Sequence, residues 1–118
     1  MRIMKLYGIP NCTTVKKARA WLAAHGPDVP FHDFRKQGVD AAWLKQVAKQ
    51  TGWQALLHTR GTTWRKLDDA AKAAAGNEAG AFALMLAQPS VIKRPVLERD
   101  GAYHLGFGED EYAALLGT

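Results

Sequence analysis

Apolar and polar positions alternate in short runs at both ends of the chain and recur with helical spacing between them. Ile3 to Tyr7 is a short apolar stretch that reads as a strand, and Gly8-Ile9-Pro10-Asn11 is turn chemistry that ends it. From Thr13 the spacing turns helical, with Val15, Ala18 and Leu22 at i, i+3 and i+7. His25-Gly26-Pro27 closes that helix, with glycine for the left-handed cap and proline just beyond. Val29 to Phe34 reads as a second strand with Val29 and Phe31 on one face. A helix between two strands implies a right-handed crossover and parallel pairing.

The middle of the chain is helical in pattern. Asp40 is placed to cap a helix that carries Trp43, Leu44, Val47 and Ala48 inward and closes at Gly52. A shorter segment, Trp53 to His58, leads to Arg60-Gly61-Thr62-Thr63-Trp64-Arg65-Lys66-Leu67. Asp68 or Asp69 opens an alanine-rich stretch broken by Gly76-Asn77. A further helix, Glu78 to Ala87, sets Phe82, Met85 and Leu86 on one stripe before Pro89 stops it.

The tail returns to strands. Pro95 to Arg99, the turn Asp100-Gly101 and Ala102 to Leu105 spell a two-residue hairpin. A last helix from Glu109 to Leu116 opens on Glu109, Asp110 and Glu111, the sign a helix N-terminus favours. A parallel pair, then helices, then an antiparallel hairpin and a helix give an α/β thioredoxin-like fold. Its mixed parallel/antiparallel sheet has flanking helices, and a helical insertion lies within about residues 38–90 of a single domain, 1–118.

Composition narrows the class of protein. The chain has 118 residues, 47% hydrophobic and 23% charged, enough to bury a core without metal or disulfide support. No run approaches the ~20 apolar residues of a membrane span, and Met1 to Lys5 lacks a signal peptide's apolar core. One cysteine precludes an intrachain disulfide and suits a reducing, cytoplasmic setting; no membrane partner is expected. Four histidines at 25, 32, 58 and 104 have no i,i+3 or i,i+4 partner, so no metal site is expected. Sixteen Lys+Arg against eleven Asp+Glu leave +5 at pH 7, a balance that favours anionic partners. Lys16-Lys17-Ala18-Arg19 reads as a solvated helix face rather than a nucleic-acid stripe.

Chemistry centres on Cys12, which follows a strand and a turn where a helix begins. There the backbone N–H groups of Thr14 and Val15 point toward the sulfur, and Lys16 and Lys17 add positive potential. A thiolate gains from both, so its pKa is expected well below ~8.5. Thiol–disulfide exchange needs a second sulfur to resolve the intermediate. With no Cys-x-x-Cys, that sulfur must come from outside, and glutathione or another small anionic thiol is the expected cosubstrate, with no tightly bound cofactor. Arg60, followed by the hydroxyl-bearing turn Gly61-Thr62-Thr63, and Arg94, before Pro95, can each present a guanidinium to an anion or serve as solvated surface.

Four ordered blocks then carry a resemblance. They are Tyr7-Gly8-Ile9-Pro10-Asn11-Cys12-Thr13-Thr14-Val15-Lys16-Lys17-Ala18-Arg19, Arg60 to Leu67, Pro89-Ser90-Val91-Ile92-Lys93-Arg94-Pro95-Val96-Leu97, and Gly106-Phe107. Over about residues 4 to 117 the sequence resembles the arsenate reductase (ArsC)/Spx-like family, most closely its YffB-type branch. The resemblance implies a cis-proline at Pro95, Cys12 as nucleophile, and Arg60 and Arg94 as anion-binding residues. In the family's arsenate reductases the thiolate attacks arsenate, and glutathione with glutaredoxin completes turnover.

The chain also departs from that pattern. Gly8 and Lys16 stand where those reductases carry a His and an Arg, and Leu105-Gly106-Phe107-Gly108 replaces the segment that supplies a third anion-binding Arg. Val15 stands where Spx-type regulators carry the second cysteine of a redox pair. The expected function is that of a monomeric, glutathione-dependent monothiol oxidoreductase. Cys12 is its catalytic residue, and Arg60, Arg94, Thr13, Thr14 and Lys16 hold the anionic partner. The alternatives are a non-catalytic adaptor or regulator on the same scaffold, or a weak arsenate reductase.

Overall fold

The computed structural model describes residues 4–25 and 28–116. Strands β1 (Met4–Gly8), β2 (Phe31–Asp33), β3 (Val96–Arg99) and β4 (Ala102–Leu105) form one sheet in the order β2-β1-β3-β4. β1 is parallel to β2, with Leu6 opposite Phe31, and antiparallel to β3, with Leu6 opposite Leu97. β3 and β4 make the expected hairpin. Both turn residues are left-handed, Asp100 at φ 51° and Gly101 at φ 85°, which matches the twist of the strands they join.

The backbone divides into two compact units, Met1–Gln37 with Arg94–Thr118, and Gly38–Lys93. The first contains the sheet, with α1 (Thr13–His25), a short turn α2 (Phe34–Gln37) and α8 (Glu109–Leu116). Ala18, Trp21 and Leu22 of α1 pack with Met4, Leu6, Leu97 and Tyr112 in one buried cluster. At ~1.5–3 kcal/mol per large apolar side chain removed from water, this cluster fixes α1 on the sheet. Tyr112 donates its buried hydroxyl to the Gly106 carbonyl at 3.1 Å.

The second strand is shorter than the sequence pattern implies. Asp33 is buried, its carboxylate accepts the Arg35 N–H at 2.9 Å, and the Gln37 side chain accepts the Asp33 N–H at 3.0 Å. This reciprocal cap turns the chain into α2 at Phe34, where apolar content alone suggested a continuing strand. Ile3, Gly26 and Pro27, which the sequence reading assigned to a strand start and a helix stop, lie outside the described residues.

The second unit is helical: α3 (Ala41–Thr51), α4 (Trp53–Leu56), α5 (Thr62–Arg65), α6 (Asp69–Ala74) and α7 (Glu78–Ala87), followed by a 3-10 turn at Pro89–Val91. Side-chain caps set three of the starts. Asp40 accepts from Ala42 N–H, Asp68 from Ala71 N–H and Asn77 from Gly80 N–H, at 3.2, 2.7 and 2.8 Å. α3 stops at Gly52, φ 85°, whose N–H bonds the Ala48 carbonyl.

Three expectations shift in this unit. Trp43 is only half-buried, and the inward face of α3 is Leu44, Val47 and Ala48. The segment read as Trp53 to His58 leaves the helix at Leu56, because Leu57 bridges to Ile92 and the Lys93 N–H binds the Leu56 carbonyl at 2.7 Å. On α7, Phe82, Met85 and Leu86 do not share a fate. Ala81 and Met85 are buried, whereas Leu86 is 41% exposed. The i,i+4 pairs Ala81/Met85 and Phe82/Leu86 are adjacent stripes about 100° apart, and only the first faces the core.

Candidate active site

Cys12 occupies the N-cap of α1. Its N–H donates to the Ile9 carbonyl at 3.2 Å, closing the Ile9-to-Cys12 turn, and its own carbonyl accepts from the Lys16 N–H at 2.9 Å as the first bond of the helix. A cap residue's side chain reaches back to the second and third helical N–H groups. Here that side chain is a sulfur, and its backbone donors are Thr14 and Val15. No acidic residue lies in the first turn of α1, so no side-chain anion competes for the positive end of the helix.

Gly8 makes the close approach of strand and helix possible. A Cβ there would lie 2.8 Å from Val15 Cγ2, inside any tolerable contact. Sequence reasoning treated Gly8 only as a turn residue and a point of departure from the reductases. In the structure it is the space into which Val15, fully buried, is packed.

Arg94 is the second charged element. It is half-buried immediately before β3, and its side chain hydrogen-bonds to Cys12. The Arg94–Pro95 peptide bond is cis, Pro95 is buried, and the Pro95 carbonyl accepts the Gly106 N–H at 2.8 Å. The pKa of Cys12 reflects opposing forces. Burial, the largest single influence, pushes it up. The Val15 N–H, the Arg94 charge, the Thr14 N–H and the Arg94 hydrogen bond together outweigh burial and hold the thiol below its ordinary value. Cys12 as a residue is neither buried nor fully exposed.

The other candidates fall in different places. Thr13, Thr14 and Lys16 are exposed on the first turn of α1, beside Cys12 in the chain. Arg60 belongs to the helical unit, exposed two residues ahead of α5. The Gly61-Thr62-Thr63 segment, expected to be a turn displaying hydroxyls, is instead the cap and first residues of α5. Thr63 uses its hydroxyl internally, 2.7 Å from that of Ser90. Gly61 leaves room for His58, whose ring a Cβ would meet at 2.9 Å. These contacts hold the Arg60 loop against the 3-10 turn, a role the isolated sequence blocks did not disclose. No helix among the described residues is long and apolar enough to cross a membrane.

A mixed four-stranded sheet whose first helix is capped by a cysteine, with a cis-proline opening the hairpin, defines the thioredoxin-like class. Within it, the ArsC family model matches residues 7–115, and the chain belongs to that family. The solved structure of a YFFB protein is 51% identical with a TM-score of 0.90, over 96% of this chain and 98% of that one. An uncharacterized protein of Haemophilus influenzae is 42% identical over 112 residues, covering 95% of this chain and 97% of its own. The global transcriptional regulator Spx 1 of Lactococcus lactis is 31% identical over 118 residues, covering 97% of this chain and 89% of the regulator.

Proposed function

We propose that the protein is a monothiol oxidoreductase that uses Cys12 as a thiolate and an external thiol, glutathione by preference, as its second sulfur. The observation that carries this reading is the environment of the sulfur: two backbone donors at a helix start and one guanidinium, on the chain's single cysteine. In the first step the Cys12 thiolate attacks the glutathionyl sulfur of a mixed disulfide. A Cys12–glutathione disulfide forms, and the other sulfur leaves with the electron pair and takes a proton. In the second step the thiolate of a second glutathione attacks the glutathionyl sulfur of that intermediate. Glutathione disulfide forms, and Cys12 leaves as the thiolate that Val15, Thr14 and Arg94 stabilise.

Arg94, beside the sulfur, is suited to hold a carboxylate of the incoming thiol, with Thr13, Thr14 and Lys16 as further binding residues. Cys12→Ser is expected to abolish reduction of a glutathionylated substrate, while Arg94→Ala weakens glutathione affinity in a folded protein. Retained turnover in Cys12→Ser would refute the mechanism.

The likeness to Spx 1 supports a second reading, a regulator that docks on a partner protein. Val15 in place of a second cysteine removes the redox pair such a regulator would switch through. This reading predicts partner binding unchanged by Cys12→Ser. Arsenate reduction, the third possibility, is tested by arsenite formation with glutathione and glutaredoxin. It is expected to be weak, because each lost charge-assisted contact to an oxyanion removes ~1.5–3 kcal/mol.

A further inference from the structure

The helical unit carries a groove that its own core does not use. It has a volume of about 580 Å³ and lies between α3 and α7, with Ala41, Ala79 and Ala83 as small side chains and Phe82 and Leu86 as apolar ones. Lys45 and Lys49 line the α3 wall, and Glu78 marks the start of α7. Beside the buried Ala81 and Met85, α7 presents half-buried Phe82 and exposed Leu86 as a second stripe. The groove lies wholly within one compact unit and contains none of the residues assigned to the Cys12 site.

We propose that this groove docks an amphipathic helix of a partner protein, with leucine-like anchors on one face and acidic residues beside them. Two features select that occupant. Lys45 and Lys49 are one turn apart on α3, so they match carboxylates spaced i,i+4 on a helix laid alongside. From Ala41 to Lys49 and from Glu78 to Leu86 the walls run nine residues each, eight rises of 1.5 Å or about 12 Å, roughly two turns of a bound helix. Two turns present anchors at i, i+3 or i+4 and i+7, the usual contacts of a helix in an apolar groove.

The test uses two labelled, end-capped peptides of about 18 residues, a length at which an isolated helix is populated. Both carry leucines at i, i+3, i+4 and i+7. One has glutamates flanking the stripe and the other lysines, and binding to the full chain is followed by fluorescence anisotropy. The acidic peptide is expected to bind at least roughly tenfold tighter than the basic one. Leu86→Asp, a change at an exposed position that leaves the core intact, should weaken it by a similar factor. Lys45→Glu with Lys49→Glu should reverse the preference between peptides. No binding of the acidic peptide, equal affinity for both, or indifference to Leu86→Asp would overturn the proposal. So would concentration-dependent self-association abolished by Leu86→Asp, which would identify a second copy as the occupant.

Discussion

Cys12 owes its character to three residues with different origins. Thr14 and Val15 act through their backbone, which any sequence at those positions would supply once the helix forms. Arg94 acts through its side chain and so can be removed. Arg94→Ala is expected to raise the pKa of Cys12, because it deletes both a charge and a hydrogen bond from the thiolate. Arg94→Lys should restore part of the shift as a point charge without the planar fork. The alkylation rate of each variant against pH separates these outcomes, and an unshifted midpoint in Arg94→Ala would remove Arg94 from the account.

The same lowered pKa makes stability depend on pH in a defined direction. A group whose pKa is lower folded than unfolded contributes stability above its unfolded value, ~8.5 for a thiol, and loses it as pH falls through the folded value. The stability advantage of wild type over Cys12→Ser should therefore grow with pH up to ~8.5 and then level off. Urea denaturation of both proteins over that range measures it, and a difference independent of pH would contradict it.

At the scale of elements, the local signals were legible and the long-range ones were not. The first helix, the Asp40 cap, the helix from Glu78 and the hairpin at Asp100-Gly101 rest on side chains within four residues of the feature they set. That proximity is why the pattern of positions showed them. Asp33 and Gln37 form an equally local cap, but Val29 to Phe34 is apolar enough to read as strand throughout. The hydrogen bond that the Arg35 N–H donates to the Asp33 carboxylate decided against the last residue. Phe82 and Leu86 fit a core stripe as well as Ala81 and Met85 do, and only the packing of α7 shows which stripe the core takes.

The meeting of strand and helix yields a prediction at this scale. Gly8→Ala places a methyl 2.8 Å from Val15 Cγ2 and should destabilise the protein by ~1–3 kcal/mol through overpacking. It should also disturb the Cys12 turn that follows β1. Thermal denaturation together with the alkylation rate reads both effects, and an unaltered melting temperature would show that α1 yields freely.

For the whole molecule, the candidate site joins residues far apart in sequence. The contact between Arg94 and Cys12 depends on β3 pairing with β1 in the register that sets Tyr7 opposite Val96, and no local pattern specifies that pairing. Among the chain's many basic residues, the sequence alone could nominate Arg94 only because it precedes a proline and matches a family block. Net charge acts at this scale too. With +5 overall and pI near 9.6, the protein's attraction for an anionic thiol should weaken with salt. Protection of Cys12 by glutathione is thus expected to fall as ionic strength rises, and protection independent of salt would exclude charge as its source.

The proposed chemistry requires Cys12 to be an activated thiolate in a site that accepts glutathione. The most direct measurement is its alkylation rate against pH, with and without glutathione. A midpoint below ~8.5 and slower alkylation when glutathione is present are expected. A midpoint at or above ~8.5 with no protection would contradict it and favour the scaffold as a docking protein.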